Sequence, residues 1–230
     1  MNQLVYPSLA GVYVHLPFCD VKCAYCDFYS IAKRHIDPEF WKKYTEILLQ
    51  DLGASYQKLI EDTPHPVLSS IFFGGGTPSK APFFVLEKII EEILLIFPKH
   101  TLAVEITAEA NPESVSETLL KNWKGIGINR VSVGLQSLEE ATLKYLGRLY
   151  DAASYRHVLS WIKNAGFKNY SADFITGVPG QSVESTLHDL EFAIQEGVTH
   201  VSVYQLMVEN GTRLKEKIRM GILPHPRDEE

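Results

Sequence analysis

Short apolar runs alternate with amphipathic stretches along this 230-residue chain. The first run, Val12–Leu16, reads as a strand that stops at Pro17, which has no N–H to give to a ladder. Asp37-Pro38 then opens a helix, with Asp as N-cap and Pro at N1. Its Phe40, Trp41, Tyr44, Ile47, Leu48 and Leu52 recur at the spacing of one apolar face. The alternation continues with predicted strands at Ser69–Phe73, Leu102–Ala108, Arg130–Leu135, Ser171–Ile175 and His200–Leu206. Between and after them the pattern predicts helices over Phe84–Ile96, Ser116–Trp123, two short ones within Glu139–Ala165, Glu184–Gln195 and Arg213–Met220. Gly166 closes the second short helix as a C′ residue.

Six strand–helix units with near-continuous apolar strands imply an α/β fold on a parallel sheet. Six are too few for the eight-strand barrel, and an open doubly wound sheet satisfies the same pattern. In either case ligands bind beyond the carboxyl ends of the strands. Each predicted strand ends in something polar or glycine-rich: the Cys19–Cys26 loop, Gly74–Ser79, Glu109 with Asn111, Gln136, Asp173 with Gly177, and Gln205. Brought together, these make one mouth.

Composition narrows the setting. A net charge of −6 gives no basic face for nucleic acid. No apolar run reaches the roughly 20 residues of a membrane helix; Glu91 and Glu92 interrupt the most apolar stretch, Ile89–Phe97. The cytoplasm is the expected location, and reduced thiols suit it. The chain has three cysteines, Cys19, Cys23 and Cys26, spaced C-x3-C-x2-C. An odd count without a secretory signal fits disulfides badly. Three core thiols are the blandest reading. A structural zinc site is open, with His15 as a fourth ligand, although alternation points His15 with Tyr13. An iron–sulfur cluster is open too; a four-iron cluster takes four thiolates, so three leave one iron without a protein ligand. Gly74–Thr77 is neither a dinucleotide fingerprint nor a phosphate loop.

The string from Tyr13 to Cys26, Y-V-H-L-P-F-C-x3-C-x-Y-C, resembles the radical S-adenosylmethionine (SAM) superfamily. It is most similar to the branch of oxygen-independent coproporphyrinogen III oxidase and the haem chaperone HemW. The resemblance covers essentially the whole chain and implies an incomplete parallel (β/α)6 barrel. It implies that Cys19, Cys23 and Cys26 hold a 4Fe-4S cluster whose open iron chelates SAM, cleaved by one electron to a 5′-deoxyadenosyl radical. By position, Tyr13, Gly75, Glu109 and Met207 match contacts to a first SAM in the oxidase. Tyr25, Gly76, Thr77, Gln136, Arg148 and Asp173 match contacts to a second, so one or two SAM are implied. Without the resemblance, Arg148 reads as a surface helix charge. The oxidase has a further cysteine where this chain has Phe28, which is the HemW-like pattern. The implied function is haem chaperoning, with haem or porphyrin, an electron donor and a haem-receiving apoprotein as partners. Oxidative decarboxylation of coproporphyrinogen III and a zinc-stapled binding module are the alternatives. No catalytic residue and no haem ligand is assigned. Residues 1–230 read as the radical SAM core, with the family's carboxy-terminal region missing or truncated.

Overall fold

The structure, a computed structural model, describes residues 8–148 and 153–226. Six parallel strands form one sheet: β1 (Leu9–Leu16), β4 (Val67–Gly75), β5 (His100–Ala110), β6 (Arg130–Gln136), β7 (Asn169–Thr176) and β8 (His200–Gln205). They lie in sequence order, and each neighbouring pair is parallel. β1 and β8 are edges that do not pair with each other, so the (β/α)6 barrel is incomplete. Two short strands, β2 (Phe18–Cys19) and β3 (Ile31–Ala32), pair beside it.

The connecting helices are α1 (Pro38–Asp62), α2 (Phe83–Ile96), α3 (Glu117–Gly125), α4 (Glu140–Leu146), α5 (Ala153–Asn164) and α6 (Val183–Gln195), with α7 (Arg213–Arg219) after β8. Their starts follow from the sequence: Asp37 accepts the Glu39 N–H, Ser116 the Leu119 N–H, and Ser182 forms a capping box with Ser185. Gly166, at φ 85°, closes α5 as expected. α1 runs ten residues past Leu52, the end of the predicted apolar face.

The strands are not apolar on both faces, which corrects the expectation of continuous apolar runs. Ile71, Phe73, Ile106, Ala108, Val131, Val133, Leu135, Ala172 and Phe174 point outward into the main core, against Trp41, Leu86, Trp123, Tyr155 and Phe192 of the helices. The alternate residues line the inside and are mostly polar, with Phe72, Gly134 and Ile175 among the exceptions. There Arg130 donates to Thr107 Oγ1 (3.4 Å) and Ser171 Oγ (3.2 Å), Ser171 to Ser132 (2.7 Å), and Ser132 to Asp173 Oδ2 (3.1 Å). These buried groups satisfy one another by hydrogen bonds, so the inner face can be polar and the strands alternate as in a one-sided sheet.

Candidate functional site

The cysteine loop is pinned at both ends and in the middle. Ile31 N–H donates to Pro17 O (2.6 Å) and Lys33 N–H to Cys19 O (2.8 Å), closing the loop through β2 and β3. At its centre Ala24 is buried in a second apolar cluster with Leu146, Ile175, Val178, Leu206 and Leu214. Its N–H donates to Leu146 O (3.3 Å), and its carbonyl accepts from Leu214 N–H (2.8 Å). Lys80 pairs with Asp20 and donates to Arg34 O (2.9 Å), tying the loop to the segment after β4.

That segment lies directly against the loop. Gly76 N–H donates to Leu16 O (2.8 Å) and Thr77 N–H to Phe18 O (2.9 Å). A Cβ on Gly76 would sit 2.7 Å from the Pro17 and Phe18 backbone, so only glycine fits. Gly75 has φ 107°, which also favours glycine.

A cavity of about 440 Å³ opens at the carboxyl ends of the strands. Cys19, Cys23, Cys26, Tyr25, Gly75, Gly76, Thr77, Glu109, Gln136, Arg148, Asp173 and Met207 all line it. Tyr13 does not. Its ring lies against Gly74, and its hydroxyl bonds His15 Nδ1 (2.9 Å), beside Glu109. The structure thus gathers every expected site residue except Tyr13.

Sulfur donors meet hydrogen-bond donors here. Thr77 Oγ1 donates to Cys19 Sγ (3.3 Å), and Arg148 Nη1 to Cys23 Sγ (3.0 Å). Arg148 is buried rather than a surface charge. Gly147, left-handed at φ 73°, ends α4 and turns the next residue inward, where Arg148 Nη2 also donates to Gly134 O (3.0 Å). Burial pushes the Cys19 and Cys26 thiols up, against the Thr77 hydroxyl at Cys19 and the Phe28 backbone at Cys26. Among the described residues, no three His, Cys, Asp or Glu side chains gather closely enough for a single metal ion. His15 is engaged at both nitrogens: Nε2 donates to Tyr29 O (2.8 Å), which leaves Nδ1 to accept from Tyr13. Three sulfurs ringing a cavity, two of them receiving side-chain hydrogen bonds and the third a backbone one, fit a polynuclear cluster.

Two carboxylates line the same cavity. Burial raises Glu109 to about 7, partly offset by the Gly75 N–H donating to Oε2 (3.2 Å), with the Asp173 charge adding to the rise. Burial also raises Asp173, against Ser202, Ser132 and the positive charges of Arg130 and His200. Gln136 is held left-handed, at φ 72°, where the β6–β7 register slips between Gly134 and Gln136. Such an irregularity re-aims a side chain, here into the cavity. Asn111, Ser132 and Gly134 also line the site without having been singled out as ligand contacts. Asn111 was legible in the E-A-N-P run; Ser132 was legible only from the alternation of β6.

The Radical SAM superfamily model matches residues 13–193. The chain is 38% identical over 204 residues to "Heme chaperone HemW" of Haemophilus influenzae, covering 88% of this chain and 52% of that protein. It is 34% identical to "Radical S-adenosyl methionine domain-containing protein 1, mitochondrial" of Bos taurus, covering 94% and 47%. Among solved structures, coproporphyrinogen III oxidase (HemN) from Escherichia coli aligns with a TM-score of 0.79 at 24% identity, covering 96% of this chain and 50% of that one. The chain spans about half the length of the curated relatives it matches. Matched over most of its length and carrying the cysteine loop at the mouth of an incomplete parallel barrel, the chain belongs to the radical SAM superfamily, which implies a 4Fe-4S cluster and SAM, and its sequence is HemW-like within it.

Proposed function

We propose that this chain is the cofactor-holding core of a HemW-like haem chaperone of the cytoplasm. Cys19, Cys23 and Cys26 hold the cluster, and the unit 1–230 acts as the radical SAM core. The single observation that carries the reading is the shared cavity: three cysteines, the glycine approach at Gly75–Gly76 and two buried carboxylates face one space. A 4Fe-4S cluster supplies an open iron for SAM and an electron for its sulfonium.

The chain's own residues do the rest. Gly75 and Gly76 line the cavity, seated against His15 and the start of the cysteine loop more closely than a Cβ would allow, and present backbone to the bound cofactor. Glu109 and Asp173 accept hydrogen bonds from its hydroxyls, while Gln136 both donates and accepts. Arg148, its guanidinium fixed by donation to Cys23 Sγ, Asn111 Oδ1 and Gly134 O, brings a positive charge to the cavity wall that favours a carboxylate. Tyr25, Thr77 and Met207 complete the wall, and Tyr13 supports Glu109 from behind. This set serves one SAM or two.

Haem as cargo is supported by the similarity to proteins named haem chaperones and by Phe28, which faces the cavity where the oxidase has a further cysteine. An electron donor and a haem-receiving apoprotein are the partners this reading requires. The test uses anaerobically reconstituted protein, titrated with haem and followed in the Soret region, with a parallel incubation of reduced protein with SAM and coproporphyrinogen. Saturable haem binding without decarboxylation supports the chaperone. Decarboxylation without stable haem binding overturns it in favour of the oxidase. A colourless protein holding one zinc per chain overturns both.

A further inference from the structure

Asn111 lies between two of the three cysteines in a continuous chain of hydrogen bonds. Its Oδ1 is 3.1 Å from Arg148 Nη2, and its Nδ2 is 3.0 Å from Thr77 Oγ1. The outer ends of that chain are the Thr77 contact to Cys19 Sγ and the Arg148 contact to Cys23 Sγ.

The direction of every proton follows from chemistry. A guanidinium has donors only, so the Asn111 atom facing it must be the amide oxygen. That turns the amide nitrogen toward Thr77. A hydroxyl that accepts from an amide keeps its own proton for another partner, and the partner in reach is Cys19 Sγ. The backbone holds the amide still: Asn111 N–H donates to Ser79 Oγ (3.3 Å), and Asn111 O accepts from Ser114 Oγ (3.0 Å).

We infer that Asn111 is a positioning residue: it polarises the chain so that Thr77 gives its proton to Cys19 Sγ while Arg148 gives one to Cys23 Sγ. A proton donated to a ligating sulfur disperses its charge and raises a cluster's reduction potential. Asn111 thereby tunes the centre without touching it. The inference rests on the proposed cluster role of the cysteines.

Aspartate is the decisive replacement, because it keeps the shape and the Arg148 contact but has no N–H to give. In Asn111→Asp the Thr77 hydroxyl turns to donate to the new carboxylate, and Cys19 loses the Thr77 proton. Leucine at the same position removes both polar ends and gives the Thr77 oxygen no N–H, so the hydroxyl is no longer aimed at the sulfur. The experiment reconstitutes wild type, Asn111→Asp, Asn111→Leu and Thr77→Val. It compares exchangeable-proton couplings to the reduced cluster by electron–nuclear double resonance in H2O and D2O, and the midpoint potential by redox titration. The expected result is one coupling that Thr77→Val removes, Asn111→Asp also removes and Asn111→Leu weakens, with the potential falling as the coupling does. A lower potential in Asn111→Asp with the coupling intact is a bare charge effect and overturns the inference. So does a coupling that Thr77→Val leaves in place. Asn111→Leu with wild-type coupling and potential overturns the inference, and so does failure of both variants to load; if only Asn111→Asp fails to load, Asn111→Leu decides alone. Wild type that forms no cluster rejects the functional reading itself, and this inference with it.

Discussion

Glu109 makes the cofactor-free fold less stable as pH rises. Its carboxyl is held at about 7 in the folded chain, against an ordinary 4.5. Below pH 4.5 it is protonated in both states and contributes nothing. Between 4.5 and 7 the folded state keeps a proton that the unfolded state has lost, so stability falls as pH rises. Above 7 the loss is complete. At about 1.36 kcal/mol for each pH unit of difference, it amounts to about 3 kcal/mol. Glu109→Gln keeps an oxygen for the Gly75 N–H but has no charge to bury. It is expected to match wild type at pH 4 and to exceed it by about 3 kcal/mol at pH 8. Urea titrations of reduced, cofactor-free protein across that range would measure this, followed by fluorescence of the buried Trp41 and Trp123. Asp173 is raised as well and adds a slope of the same sign, which the comparison of variant with wild type largely removes. Parallel stability curves for the two proteins would refute the burial argument for Glu109.

Three further outcomes follow from the same geometry. Gly76→Ala drives a Cβ into the backbone of Pro17 and Phe18, which cannot swing aside; a loss of about 1–3 kcal/mol in urea titrations is expected, and unchanged stability would contradict the close approach. Cys23→Ser removes one of the three proposed cluster ligands, so iron per chain after reconstitution should collapse, and wild-type iron content would count against the ligand role. Phe73→Ala empties a fully buried site between β4 and the helices; about 3–5 kcal/mol should be lost in denaturant melts, with a smaller loss showing that the site collapses around the gap.

Much of this was legible because parallel α/β units write their order into the chain. Each strand end carried its polar residue in sequence, and a parallel sheet can only deliver those ends to one rim. The cysteine spacing was as plain. What stayed hidden depends on backbone geometry or on which face is dry. Arg148 read as a helix surface charge because nothing local shows that left-handed Gly147 turns it inward. Gln136 was found, but not the register slip that aims it. Tyr13 was placed by position in a motif, yet alternation sets it beside His15 and behind Glu109, off the cavity wall. The serines and threonines inside β4–β7 looked like interruptions in apolar runs. They are the regular inner face of a barrel that does not close.

That inner face explains why the site can be both polar and ordered. An unpaired buried carboxylate is costly, and two within one cavity cost more. The layer beneath them bears part of this cost: Arg130 reaches Asp173 through Ser171 and Ser132, each hydroxyl fixing the next. Glu109 has only the Gly75 N–H and remains half-protonated near neutrality. A ligand that brings hydroxyl donors or positive charge relieves what the empty fold leaves unresolved, and it favours the ionised form of Glu109. SAM carries both. On the proposed placement of SAM against Glu109 and Asp173, the strain in the cofactor-free protein and the affinity for the cofactor are one electrostatic imbalance, seen before and after binding.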